Sequence, residues 1–159
     1  MEAKKISIEY LEFRTLDELS EQDRKLAEAA IEAQKSSYAP YSHFNVGAAV
    51  RLEDDTIVKG SNQENAAYPS GLCAERTAMF AAGAAFPDKA IVSLALAGGP
   101  KGTICDSPAS PCGSCRQVMA EYQVKGNRPI SILMVGKEKI YKFEKVDDLL
   151  PFIFDSLDK

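Results

Sequence analysis

Apolar positions between about Glu21 and Ser36 recur at helical spacing: Leu26, Ala27, Ala30, Ile31 and Ala33. That pattern predicts an amphipathic helix packed on a sheet. Ahead of it, Ile6, Ile8 and Tyr10 alternate with Ser7 and Glu9, a weak strand signal. Thr15 with Glu18, and Ser20 with Asp23, resemble helix-capping pairs. Tyr38-Ala39-Pro40-Tyr41 breaks the helix, because proline disfavours helical backbone in the residue before it. Phe44 to Leu52 and Thr56 to Gly60 then read as two strands, with Glu53-Asp54-Asp55 as the turn between them. Asn62 to Leu72 is polar, carries Pro69 and Gly71, and predicts a loop. The stretch from Cys73 to Ala82 is alanine-rich and proline-free, which favours helix. Ile91 to Ala97 is apolar enough for a central strand. Gly98-Gly99-Pro100-Lys101-Gly102 and Asp106-Ser107-Pro108 mark a long loop after it. A helix over Cys115 to Tyr122 follows, then strands over Pro129 to Val135 and Lys139 to Phe143. A short helix over Asp147 to Ser156, bent near Pro151, closes the chain. Five strands interleaved with helices predict an α/β fold, a mixed five-stranded sheet with helices on its faces.

The bulk numbers narrow the class. A chain of 159 residues suits one domain with a core of its own, here residues 1–159. Residues 45 % hydrophobic and 26 % charged are ordinary for a soluble globular protein. A net charge of −4 argues against a general nucleic-acid binder, which carries a basic surface. No apolar run reaches the roughly 20 residues a membrane span needs, and the first nine residues lack the apolar core of a secretion signal. A cytoplasmic location is therefore expected. In that compartment three of the four cysteines read better as metal ligands than as members of two disulfides.

Two short stretches carry the candidate chemistry. They are Cys73-Ala74-Glu75 and Pro111-Cys112-Gly113-Ser114-Cys115. Cys112 and Cys115 have the spacing at which two thiolates bind one zinc ion. Pro111 suits the turn feeding a helix, and a helix N-terminus offers free amide donors and a positive dipole end, both of which favour thiolate over thiol. Cys73 opens a similar helix. The candidate ligands number three, and a catalytic zinc site keeps its fourth position for water where a structural site closes it. Glu75, two residues after Cys73, is placed to act on that water and not to bind the metal. Cys105 reads as a small buried hydrophobe, and His43, the single histidine, as a solvent-facing loop residue.

Cys73-Ala74-Glu75-Arg76-Thr77-Ala78 together with Pro111-Cys112-Gly113-Ser114-Cys115-Arg116-Gln117 resembles the small, three-cysteine, homotetrameric cytidine deaminases of nucleoside salvage. Tyr38 to Ala49, Asn62-Gln63-Glu64-Asn65-Ala66-Ala67-Tyr68 and Leu149-Leu150-Pro151 resemble further motifs of that family, so the likeness covers most of the chain from about Ser36 onward. The resemblance implies a three-layer α-β-α sandwich with two zinc-bearing helices side by side, one Zn2+ per chain on Cys73, Cys112 and Cys115, and Glu75 as the proton-transferring residue. It implies Asn62 and Glu64 on the ribose hydroxyls, the base stacked near Phe44, and backbone around Ala74 reading the ring's polar edge. Tyr68 and Phe154 match positions that reach a neighbouring subunit's pocket, so a homotetramer with shared active sites is implied. Arg76 and Arg116 would offset the thiolate charge by donating to sulfur. The segment before about Leu16 is longer than the family pattern and reads as an extra edge strand or a subunit contact. Two other functions fit parts of the pattern: deamination of a modified cytosine nucleoside, such as an aminoacyl-nucleoside antibiotic, and a zinc-stabilised binding module without turnover. Nucleic-acid editing is disfavoured by the acidic balance.

Overall fold

The computed structural model describes residues 1–156. Its elements run β1 (Leu11–Phe13), α1 (Glu21–Ala33), β2 (Phe44–Leu52), β3 (Ile57–Ser61), α2 (Ala74–Ala85), β4 (Ile91–Pro100), α3 (Gly113–Gly126), β5 (Ser131–Val135) and β6 (Ile140–Phe143). The strands form one sheet in the order β1-β6-β5-β4-β2-β3, with β4 and β5 parallel and every other pair antiparallel. No helix among the described residues is long and apolar enough to cross a membrane.

Alternation along the central strands explains the layers. Leu94, Leu96, Ile132 and Met134 face α2 and α3, where they bury Met79, Ala82, Met119 and Ala120. Ala95, Ala97, Leu133 and Val135 face the opposite way, onto Leu26, Ala27 and Ala30 of α1. Both faces are covered, so these strands read as unbroken apolar runs. The α-β-α sandwich expected from the sequence is what forms. Ser20 caps α1 by accepting a hydrogen bond from the Asp23 amide at 3.1 Å, satisfying one of the free donors of the first turn. Thr15 makes no such cap; only a short 3-10 turn, Leu16–Glu18, follows it.

Two glycines set how near the helices approach. A Cβ at Gly47 would lie 2.1 Å from the Ala30 carbonyl oxygen of α1, and one at Gly60 would lie 2.3 Å from the Ala78 nitrogen of α2. Backbone therefore rests on backbone at both places, and at Gly60 this contact fixes the height of α2 over the sheet.

Three differences from the sequence reading have physical causes. The sheet has six strands, because Leu11–Phe13 pairs with Ile140–Lys142 and becomes an edge strand. Residues 6–10 lie outside it, although the Tyr10 ring stacks on Phe143 at 5.3 Å between centroids. Strand β4 continues through Gly98, Gly99 and Pro100, which pair with Val46, Asn45 and Phe44. Glycine is needed there because a Cβ at Gly99 would meet the Thr103 oxygen at 2.4 Å. The expected helix over 147–156 is only a 3-10 turn, Val146–Asp148, followed by irregular chain. Pro151 has no amide to continue a helix, and side chains of α3 take up the carbonyls instead. Arg116 donates to the Leu149 oxygen at 2.8 Å and Gln117 to the Phe154 oxygen at 2.6 Å.

Gly60→Ala is expected to destabilise the protein by about 1–3 kcal/mol through overpacking of α2, read as a lower denaturation midpoint at unchanged slope. Gly113→Ala, where an added Cβ meets nothing within 4 Å, serves as the neutral control. Equal midpoints for both variants would contradict the close-contact account.

Candidate metal centre and active-site cleft

Local sequence brings the three thiols together. Cys73 is the N-terminal cap of α2 and Cys112 that of α3, while Cys115 lies in the first turn of α3 and is fully buried. The metal-ligating atoms of Cys73, Cys112 and Cys115 all lie within 4.8 Å of one another, with Cys73 and Cys112 sulfurs 3.8 Å apart. Three sulfurs bound at about 2.3 Å to a tetrahedral zinc lie about 3.8 Å from each other. The donor set is thus of the right type and spread for the ion. All four cysteines are free thiols. Two helix N-termini point at the cluster, adding positive dipole ends where negative sulfur gathers.

The protons are shared unequally. A hydrogen bond from the Cys115 thiol, with help from the Arg76 guanidinium, holds Cys73 down at about 5 despite its burial. Cys115 is pushed up, first by that same bond to the Cys73 thiolate and then by burial. Arg76 donates to the Cys73 sulfur at 3.7 Å and is held charged by it. Glu75 is 4 % exposed. Burial, reinforced by the nearby Cys73 charge, pushes its carboxyl up to about 7. Beside the sulfurs, therefore, sits a carboxyl that gains and loses a proton near neutrality.

A cleft of about 470 Å³ opens beside Cys73. Tyr41, Asn62, Glu64, Tyr68, Cys73 and Arg76 are among its walls. Glu64 accepts hydrogen bonds from the Tyr41 amide at 2.9 Å and the Ser42 amide at 3.2 Å, and another from the Ser42 hydroxyl. The Ser42 hydroxyl bond first, then the Tyr41 amide, keep its carboxylate below the usual range. The Asn62 side chain is 9 % exposed for the whole residue and joins the ends of two strands. Its oxygen accepts from the Val46 amide at 2.8 Å and its nitrogen donates to the Phe44 oxygen at 2.9 Å. Tyr68 stands on the rim with its ring edge-on to Tyr41, 5.9 Å between centroids.

The predicted residues divide clearly. Cys73, Cys112, Cys115, Glu75 and Arg76 meet in one place, and Asn62, Glu64 and Tyr68 line the cleft beside them. Ala74 is buried in the first turn of α2, and Phe44 is half-buried at the start of β2; neither lines the cleft. Phe154 is 65 % exposed over α3 and is also outside it. Arg116 does not turn to sulfur as expected. It donates to the Pro111 oxygen at 2.9 Å and to Leu149, and so ties the loop before Cys112 to the C-terminal segment. The sequence reading passed over Ser42 as a support of Glu64. Its only signal was its place in the quoted Tyr38–Ala49 motif.

A mixed sheet that presents three thiols and a buried carboxylate at two helix N-termini defines a zinc-binding α/β protein with three clustered thiol donors among the described residues. Comparison with known proteins agrees. The family described as the cytidine and deoxycytidylate deaminase zinc-binding region matches residues 20–127. A cytidine deaminase of Halalkalibacterium halodurans is 44 % identical over 96 residues, covering 60 % of this chain and 68 % of that one. One of Sporosarcina psychrophila is 43 % identical over 106 residues, covering 67 % and 73 %. The crystal structure of cytidine deaminase from Burkholderia pseudomallei superposes with a TM-score of 0.72 at 38 % identity, covering 82 % of this chain and 97 % of that chain. The chain belongs to the cytidine and deoxycytidylate deaminase family.

Zinc uptake by the chelator-stripped protein is expected to release thiol protons, because thiolates are the ligands and protons compete with the metal. Calorimetry in buffers of different ionisation enthalpy checks this: the heat must depend on the buffer, and apparent affinity must rise with pH. Buffer-independent heat would contradict a thiolate site.

Proposed function

We propose that the chain catalyses hydrolytic deamination of cytidine and 2′-deoxycytidine to uridine and 2′-deoxyuridine, releasing ammonia, as a step of pyrimidine salvage in the cytoplasm. The observation that carries this is the buried Glu75 beside three converging sulfurs, one of which, Cys73, borders an open cleft. Cys73, Cys112 and Cys115 would hold a zinc ion, which would supply the Lewis acidity for activating water at neutral pH. Glu75 takes one proton from the attacking water and delivers it to the ring nitrogen next to the amino-bearing carbon. It then takes the second and gives it to the departing amine. A carboxyl pushed up to about 7 suits both directions of transfer, since a general acid–base works best near the operating pH. The carbon–nitrogen bond breaks, ammonia leaves and the carbonyl of the uracil ring remains.

The remaining residues bind and orient. Arg76 offsets thiolate charge through its bond to Cys73. Asn62 and Glu64 contact the sugar hydroxyls from the cleft wall. An anionic Glu64, kept ionised by Ser42 and Tyr41, repels a phosphate and favours nucleoside over nucleotide. Tyr68 and Phe154, 75 % and 65 % exposed in the single chain, complete the pockets of neighbouring copies in a homotetramer.

Glu75→Gln is expected to retain one zinc per chain and to lose about 10²- to 10⁴-fold in kcat, the span of general acid–base catalysis. The assay is loss of the cytosine absorbance band with cytidine, 2′-deoxycytidine and cytidine monophosphate. Conversion of all three at equal rates would overturn the preference for nucleosides, and a fully active Glu75→Gln would overturn the role of Glu75. The tetramer is checked by sedimentation of the wild type; a monomer that turns over cytidine at full rate would contradict shared active sites.

A further inference from the structure

Behind the cleft wall runs a line of hydrogen bonds that has no part in the scheme so far. The Gln34 side chain is 5 % exposed and donates to the Asn45 oxygen at 2.9 Å and the Thr103 oxygen at 2.7 Å. The Asn45 side-chain amide donates to the Ser37 hydroxyl oxygen at 3.1 Å. With an amide hydrogen on its oxygen, the Ser37 hydroxyl directs its own proton to the Asn62 side-chain oxygen. That oxygen also accepts from the Val46 amide, so both of its lone pairs are in use. The Asn62 nitrogen has two hydrogens and donates one to the Phe44 oxygen. One N–H is left, on a residue that is almost wholly buried and yet lines the cleft.

We infer that Ser37 is a positioning residue for substrate binding: its hydroxyl, oriented by Asn45, holds the Asn62 carboxamide so that its remaining N–H donates to a hydroxyl of the nucleoside sugar. The inference rests on the deaminase function proposed above and adds a residue that touches no substrate. Val46 and Phe44 decide which end of the amide faces which way. Ser37 removes the remaining freedom of the amide plane, because a carboxamide held at both lone pairs and one hydrogen cannot rock without breaking a buried bond. Loss of the hydroxyl also strands the Asn45 amide, whose acceptor it is.

The test uses the zinc-loaded full chain and three substrates: cytidine, 2′-deoxycytidine and 2′,3′-dideoxycytidine, the last lacking both secondary hydroxyls of the ribose. Ser37→Ala is expected to raise KM for the first two by about fivefold to tenfold, the size of one well-placed hydrogen bond. Its kcat stays within about twofold, and KM for the dideoxynucleoside stays unchanged. Ser37→Thr, which keeps the hydroxyl, is expected to restore the wild-type values. An equal loss on all three substrates would assign Ser37 a merely structural role and overturn the inference, as would an unchanged KM for cytidine. Wild-type protein that converts none of the three overturns the deaminase function itself, and the inference with it. That result is distinct because it appears before any variant is compared.

Discussion

Three thiols drawn within 4.8 Å of one another cannot all ionise unless a cation joins them. The rest of the site follows from that constraint. Without a metal the charge settles on Cys73, which takes a proton bond from Cys115 and another from Arg76. Cys115, fully buried, keeps its proton. With zinc, the two helix N-termini and Arg76 share in balancing three thiolates. The same crowding of negative charge, added to burial, raises Glu75 toward neutrality. Thiol crowding thus sets the metal's place, while burial first and that crowding second set the proton affinity of the carboxyl beside it.

The fold holds these groups in place through close backbone contacts. Cys73 and Cys112 are caps of adjacent helices, so the site exists only while α2 and α3 keep their depth on the sheet. Gly60 allows α2 to lie directly on β3. Between the helices, the Tyr122 hydroxyl of α3 packs against Gly83 of α2, 2.3 Å from the position a Cβ there would take. The metal ligands come from rigid elements, whereas the cleft walls come from the irregular stretches 37–43 and 62–72. Hydroxyls and amides of Ser37, Ser42 and Asn45 brace those walls.

Much of this was legible in the amino-acid order. The Cys-X-X-Cys spacing and the Cys-Ala-Glu triplet are local signals; helical spacing of apolar residues located α1, and apolar stretches located β2, β4 and β5. Legibility failed where distant groups decided the outcome. Gly98-Gly99-Pro100 has the composition of a loop, yet it is a strand because Phe44–Val46 pairs with it. The segment from Asp147 to Ser156 reads as a short helix, yet Arg116 and Gln117 capture its carbonyls. Arg116 directly follows Cys115 as Arg76 directly follows Glu75, but its side chain leaves α3 toward Pro111 and Leu149. Ser37 and Ser42 carry no pattern at all, since a supporting hydroxyl is recognised only through the partner it meets in three dimensions.

The claim on which everything rests is that three sulfurs hold the metal and leave one position free. X-ray absorption at the zinc edge of the metal-loaded protein measures this directly. The account predicts three sulfurs at about 2.3 Å and one oxygen or nitrogen at about 2.0 Å. Four sulfurs, with Cys105 closing the shell, would contradict it and leave the chain a structural zinc protein.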